Sequence, residues 1–355
     1  MSQTNVVEQI LDLARWAPSG DNAQPWRFEL IDESQFVIHG HDTREHCLYD
    51  RDGRPSQISL GALIETAALA ASRFGLAAQS TRRLNLPETR PTFDIRLLPT
   101  PGLPVDPLWH AIPERSVQRR PLSRRPLTAS QRQILQSAVG PDYELLWFEG
   151  RHRWDWARLL WANAGLRLRL PEAFDTHRSV IEWGARFSKT CIPDQALGID
   201  SITIAIMRRA MASWSRVEFM NRWLGGTLMP RVLMDWVPAL ACAAHIAILA
   251  KTPPKTTDDY VAGGRAVQRF WLCATQLGLQ HQPAATPLVF SRYVREGRVF
   301  TTHAGERQLA ANLAIMLDQM LDQRADRAVW LGRIGIGQRA DSRSVRCPLK
   351  DLLIT

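Results

Sequence analysis

Two runs of this chain share a length, a closing dipeptide and several aligned residues, and together they constrain the fold more than any other feature. Gly61 to Leu76 reads GALIETAALAASRFGL, and Gly264 to Leu279 reads GRAVQRFWLCATQLGL. Leu69 aligns with Leu272, Ala71 with Ala274, and Gly75-Leu76 with Gly278-Leu279. Both read as helices. Small residues along such a helix admit a close neighbour, and the closing glycine suits a left-handed cap. Strand-like segments follow each copy, expected at Thr92 to Leu98 and at Leu288 to Tyr293. A repeated helix-plus-strand unit predicts two related halves. The chain of 355 residues is long for one core and comfortable for two domains. The boundary falls in Pro99 to Pro107, PTPGLPVDP, whose four prolines make a semi-rigid spacer. The halves are then residues 1–104 and 105–355, the second carrying a helical insertion over about 151–230.

The second informative feature is the segment Ala17 to Phe28, APSGDNAQPWRF. It joins a helical run, Val6 to Trp16, to an alternating strand-like run, Phe28 to Ile38. Pro and Gly fix sharp turns, while Ser and Asn compete for local backbone partners. The segment reads as a rigid loop presenting polar groups and backbone N–H donors to something planar and polar. An ordinary helix-to-strand turn is the plainer alternative.

Hydrophobic content of 45% and charged content of 22% are those of an ordinary globular protein. Thirteen tryptophans are unusual, and eight of them, Trp147, Trp154, Trp156, Trp161, Trp183, Trp214, Trp223 and Trp236, crowd the middle of the chain, where most are expected in the core. The net charge of +9 raises nucleic acid as a partner, but the arginines are scattered and no zinc-finger or ribonucleoprotein motif accompanies them, so none is expected. Five cysteines without a CxxC pair signal neither a zinc site nor a disulfide framework, and they suit a reducing, cytoplasmic compartment. His39, His41, His46 and Cys47 match no metal spacing. Trp236 to Ala250 is apolar but too short to span a bilayer, so it reads as a buried strand or core element and no membrane partner is expected. The GRIGIGQ run at 332–338 lacks the helix and acidic residue of a dinucleotide site.

APSGDNAQPWRF resembles the PSxxNxQPW signature of the FMN-dependent nitroreductase family, and the repeated helix resembles that family's long central helix ending in LGL. The resemblance implies an α+β, nitroreductase-like fold in which two tandem copies form an intramolecular pseudo-dimer. DRDGRPSQISLGALIETAALAASRFG (Asp50 to Gly75), RSVQRRPL and EWGARFSKTCIPDQALG (Glu182 to Gly198) further resemble the twin-domain, Acg-type branch.

Each half keeps what the other lacks. IPERSVQRRPL (Ile112 to Leu122) is similar to the family's RRSxRxF segment, which implies that Arg115, Ser116 and Arg119 hold the flavin phosphate. Guanidinium forks suit phosphate oxygens, although a solvated basic linker would read the same way. The loop implies flavin contacts from Pro18, Ser19, Gly20 and Asn22. The closing ADSRSVRCPLKDLL resembles a second phosphate clamp at Ser344 and Arg346, with Arg343 as the register-shifted alternative. Gln282 and Pro283 correspond to a loop at the flavin's N5 and pyrimidine edge. One FMN per chain follows, in a monomeric fused pair passing electrons from NAD(P)H to a small conjugated acceptor, with no general base required. The branch also implies a lid, placed at Phe187 to Met211, and a second reading in which the protein sequesters flavin or senses redox state.

Overall fold

The computed structural model describes residues 5–354. Helix α1 (Val6–Ala14) starts on Asn5, whose side chain accepts from the Val7 amide, and its buried residues Val7, Ile10, Leu11 and Ala14 recur at helical spacing. Strands β1 (Trp26–Leu30) and β2 (Gln35–Gly40) form a hairpin, with Trp26 opposite Gly40 and Leu30 opposite Phe36. Helix α2 (Arg54–Ser72), β3 (Leu76–Arg82) and β4 (Thr92–Pro99) complete a four-stranded antiparallel sheet in the order β1-β2-β4-β3.

Beyond the prolines, α3 (Ala129–Ala138) opens on a capping box between Thr128 and Gln131 and leads into β5 (Tyr143–Phe148). A long excursion follows: α4 (His152–Arg167), α5 (Pro171–Val180), the two-residue strands β6 (Ile181–Glu182), β7 (Phe187–Ser188) and β8 (Ile192–Pro193), then α6 (Ser201–Ala210), α7 (Trp214–Trp223), the short α8 (Leu228–Pro230) and α9 (Val237–Leu240). The chain returns through β9 (Ala244–Ala250), α10 (Thr257–Gln276), β10 (Leu279–Pro283), α11 (Thr286–Arg295), α12 (Ala304–Met320), β11 (Ala328–Ile336) and β12 (Arg343–Ser344). The second sheet is antiparallel and ordered β5-β9-β11-β10. Taking β5 for β1, β9 for β2, β11 for β4 and β10 for β3, its order is that of the first sheet. In each, the long helix connects the second strand of that order to the last.

The two long helices cross on their glycines. A Cβ on Gly61 would lie 1.9 Å from the Val261 carbonyl oxygen, and one on Gly264 would lie 2.0 Å from that of Ile58. Backbone therefore meets backbone, and no side chain fits between. Around the crossing, Glu65 accepts from Arg265 and Arg269 at 2.8 Å each, and Gln268 donates to Thr66 at 2.9 Å. Gly75 and Gly278, with φ of +67° and +72°, close the two helices in the left-handed conformation.

One face of the first sheet packs under α1 and α2, while α3 and α10 cover one face of the second. The opposite face of the second sheet carries α4, α11 and α12. The chain's end returns to the first sheet: the Phe28 amide donates to Leu352 at 2.8 Å, and the Ile354 amide to Phe28 at 2.7 Å.

Several expectations need correction. Leu288 to Tyr293 is helix α11, because Pro287 sits at a helix start and the buried Leu288, Val289, Phe290 and Tyr293 pack with α12. The strand that follows α10 is β10, so Gln282 and Pro283 lie in a sheet rather than a loop. Trp236 to Ala250 is helical up to Leu240 and becomes a strand only at Ala244. Of the eight central tryptophans only Trp156 is buried, because the helices that carry most of the others lie on the outside.

Two buried histidines tie the second sheet to pH. His245 Nε2 donates to the Ala239 carbonyl (2.9 Å), and the ring stacks on Trp156. Nε2 of His281 accepts from the Trp330 indole at 3.0 Å, a bond that requires the neutral ring. Burial holds both imidazoles down, to about 3. Two outcomes are expected. Gly61→Ala and Gly264→Ala should each lower unfolding free energy in denaturant titration by at least about 2 kcal/mol, because backbone must move to admit the methyl. For the histidines the unfolded chain binds protons first, so their contribution is complete above the ordinary imidazole pKa and is lost as pH falls toward about 3. Between pH ~7 and ~5 unfolding titrations should show a loss of roughly 2 kcal/mol for each histidine.

Candidate functional site

The loop after α1 is strained at three positions. Asp21, Asn22 and Gln24 have φ of +50°, +64° and +48°, and none is a glycine. Such residues persist only where their surroundings hold them. Here the surroundings are explicit. The Ser19 hydroxyl accepts from the Gln24 amide at 3.0 Å. Asn22 Nδ2 faces the carbonyls of Val345 (3.1 Å), Cys191 (3.3 Å) and Ser188 (3.5 Å). Gln24 donates to the Lys189 carbonyl at 2.8 Å and accepts from the Cys347 amide at 2.9 Å. The loop is thus wedged between residues 188–191 and the C-terminal segment 345–347, which are themselves joined by parallel pairing of β12 with β7. Pro18 is buried in this arrangement, while Gly20 is exposed with open space where a Cβ would stand.

Beside this loop lies a group of arginines. Arg115 is buried, donates to the Trp16 carbonyl at 3.1 Å, and sits 4.5 Å over the Trp271 ring. Its Nε is buried with no partner. Arg346 is also buried and donates to the carbonyls of Ala17 and Val345 at 2.9 Å each. Arg343 lies 5.2 Å over the Trp16 ring. No carboxylate pairs with these three among the described residues, and nearby Glu114 is bound to Arg339 at 2.8 Å. Burial, and then the guanidiniums of Arg346 and Arg343, hold Arg115 well below the ordinary arginine range. Burial, with Arg343 and Arg15 adding to it, brings Arg346 down to about 9. A donor-only group of this kind has the chemistry to receive an anion. The hydroxyl of half-buried Ser116, next in sequence to Arg115, meets no hydrogen-bond partner among the described residues.

The remaining sequence candidates divide. Arg119 faces the other way, donating to the Ala196 carbonyl at 3.1 Å, and its pKa is lowered by burial against the opposing pull of Asp21. The Ser344 hydroxyl is taken by the Cys191 carbonyl at 2.9 Å. Gln282 accepts from Arg333 Nε at 2.6 Å, and Pro283 pairs with Gly332. The structure therefore brings Arg115 and Arg346 to the carbonyls of Trp16 and Ala17, at the start of the loop, with Arg343 near them, and brings Arg119 to Asp21 farther along the same loop.

Sequence reasoning missed two sets of residues. Arg333 is buried, donates to the carbonyls of Arg119 and Arg120 at 2.7 and 2.8 Å, and so pins the segment that carries Arg115 and Ser116. A lone arginine in an apolar strand gives no sequence signal of that role. The second set is a polar cluster near Asp21: Tyr49, Arg167, His177 and Asp235, all half-buried and drawn from three separate stretches of chain. Tyr49 Oη lies 2.7 Å from His177 Nε2, and Arg167 is 3.2 Å from Asp235. Burial, then Arg167, lowers His177 to about 3, and burial pushes Tyr49 up, so the phenol donates to a neutral ring. Burial also raises Asp21, against the lowering pull of Arg119 and Arg167.

No protein-family model matches the chain, and no curated protein matches it. Among solved structures, the chain is similar to one described as a nitroreductase-like family protein from Bacillus cereus, with a TM-score of 0.36 and 13% identity, over 70% of this chain and 96% of that one. No described helix is long and apolar enough to cross a membrane, and no described group of three or more His, Cys, Asp or Glu side chains could hold a metal ion.

Asn22 is the residue on which this docking turns. Asn22→Ala leaves three carbonyls without its donor, at a cost of about 1–3 kcal/mol. Residues 184–193 should then exchange amide hydrogens faster and be cut sooner by protease, while the two sheets keep their protection.

Proposed function

We propose that this chain is an FMN-binding oxidoreductase of the nitroreductase type, with one FMN per chain, carrying electrons from NAD(P)H to a small conjugated acceptor. The observation that carries the reading is the pair of buried arginines, Arg115 and Arg346, with half-buried Arg343 near them, none ion-paired to a described carboxylate, beside the strained loop. Its donor chemistry fits a phosphate, and the unpartnered Arg115 Nε and the free Ser116 hydroxyl are further donors for one. The matched strand order of the two sheets and the Gly61–Gly264 crossing support a fused pair of like halves, residues 1–104 and 105–355.

In this reading Arg115, Ser116, Arg343 and Arg346 would hold the phosphate, and Pro18 to Asn22 would contact the flavin. Bound flavin supplies the electron transfer itself. The chain's own part is to bind, orient and exclude water. Arg333 fixes the backbone of the cradle, and the Asn22 and Gln24 amides hold residues 188–191 against the loop. Near Asp21, Tyr49 keeps its proton at Oη, with His177 Nε2 as acceptor, so that pair adds no charge at neutral pH.

One observation favours a second reading, in which the protein sequesters flavin or senses redox state. Residues 187–196, the first part of the expected lid, are bonded to Asn22, Gln24, Arg119 and Ser344, which are candidate site residues or neighbours of them. A cover fastened at so many points restricts a hydride donor. The purified chain should show the visible absorption bands of flavin. Arg115→Ala combined with Arg346→Ala should yield colourless protein of unchanged circular dichroism; stoichiometric FMN in that variant would overturn the phosphate assignment. Anaerobic NADH or NADPH should bleach the visible band. Reduction by dithionite but by neither nicotinamide selects the second reading, and a native chain that takes up no FMN defeats both.

A further inference from the structure

No residue from Gly198 to Val237 is buried, although the stretch is rich in large apolar side chains. Neither α6 nor α7 contributes one residue to the core. Ile202, Phe219, Trp223 and Leu224 are 72%, 57%, 67% and 66% exposed, and Leu228 and Met229 continue the patch past the end of α7. Ile206, Phe219, Met220 and Leu224 share an open groove of about 410 Å³ with Arg209 and Arg216. The segment is nevertheless fixed to the body. Asn221 donates to the Leu168 carbonyl at 2.8 Å, and Trp214 lies 5.7 Å from Phe174. Its outer face is a built surface that the rest of the chain leaves uncovered.

Charge decides what covers it. Arg208, Arg209, Arg216 and Arg222 are exposed on the same two helices against the one carboxylate those helices carry, Glu218, and none of the four is ion-paired among the described residues. Arg216 reaches only the Arg209 carbonyl, at 3.3 Å, and Arg222 lies 5.4 Å over the Trp223 ring. Apposed to itself, this face would bring unpaired guanidiniums together, which argues against a second copy. Short helices that mix Trp, Phe and long aliphatic side chains with arginine suit the interface of an anionic bilayer, where the apolar groups enter the acyl boundary and the cations meet phosphates. We propose that the face formed by α6, α7 and the turn after them binds the surface of anionic lipid membranes peripherally. Peripheral binding of this kind needs no spanning segment. This binding is independent of the flavin reading.

The test is co-sedimentation of the full chain with vesicles of phosphatidylcholine alone and of phosphatidylcholine with phosphatidylglycerol. Binding to the anionic vesicles should exceed binding to the neutral ones by about tenfold or more at low salt, and should fall at high salt. Phe219→Glu with Trp223→Glu should lower it about tenfold, as should Ile202→Glu on the neighbouring helix. Replacing the four arginines by glutamine should abolish the preference for the anionic lipid. All these residues are exposed, so unchanged circular dichroism and thermal unfolding are expected. Equal sedimentation with both vesicle types, or with neither, overturns the proposal. So does anionic binding that survives both apolar variants, which would mark a general polyanion contact. A dimer in sedimentation velocity that Trp223→Glu dissolves, without vesicle binding, would instead give the face to a second copy.

Discussion

The contact of Gly61 with Val261 and of Gly264 with Ile58 is the constraint on which the rest of the molecule depends. Helices usually pack with side chains between them, about 8–10 Å apart. Here the backbones touch, and the polar groups around the crossing add direction. Glu65 is claimed by two arginines from α10, and Arg269 extends the chain to Asp106 in the proline-rich connection at 2.8 Å. Each sheet is packed under one of the two helices, so fixing the crossing fixes one sheet against the other. That arrangement brings the end of α1 to Arg115 and to the C-terminal segment.

The treatment of buried charge separates framework from site. Arg292 and Asp52, both buried, lie 2.8 Å apart and compensate each other. There the chain supplies a counter-ion. Around Arg115 and Arg346, as around Arg333, it does not. The acceptors of Arg115 and Arg346 are backbone carbonyls, those of Trp16 and Ala17 just past the end of α1 and that of Val345. Concentrated, uncompensated positive charge next to three left-handed residues is an arrangement that stability alone does not explain.

Local chemistry made much of this readable. The apolar spacing of α1, the matched helices with their closing glycines, and the strand from Thr92 follow from nearest-neighbour rules, and each is present, with α1 ending two residues early and α2 starting seven residues before Gly61. The failures came from context. LVFSRY has the composition of a strand, yet Pro287 begins a helix whose apolar face α12 covers. Tryptophans expected in the core lie on helices with no element outside them. Arg333 and the cluster of Tyr49, His177, Arg167 and Asp235 left no local trace, since their partners lie far away along the chain.

The sequence alone determined that there are two like helices, a rigid loop after the first helix, and an arginine-serine segment past the prolines. Residue spacing, turn chemistry and small side chains encode such features within a few positions of each other. Only the tertiary structure decided which arginines converge. It turned Arg119 toward Asp21, spent Ser344 on the Cys191 carbonyl, and joined Arg343 to Arg115 and Arg346. It also decided that α6 and α7 remain uncovered. Convergence and burial depend on what the rest of the chain places opposite, and no local pattern contains that information.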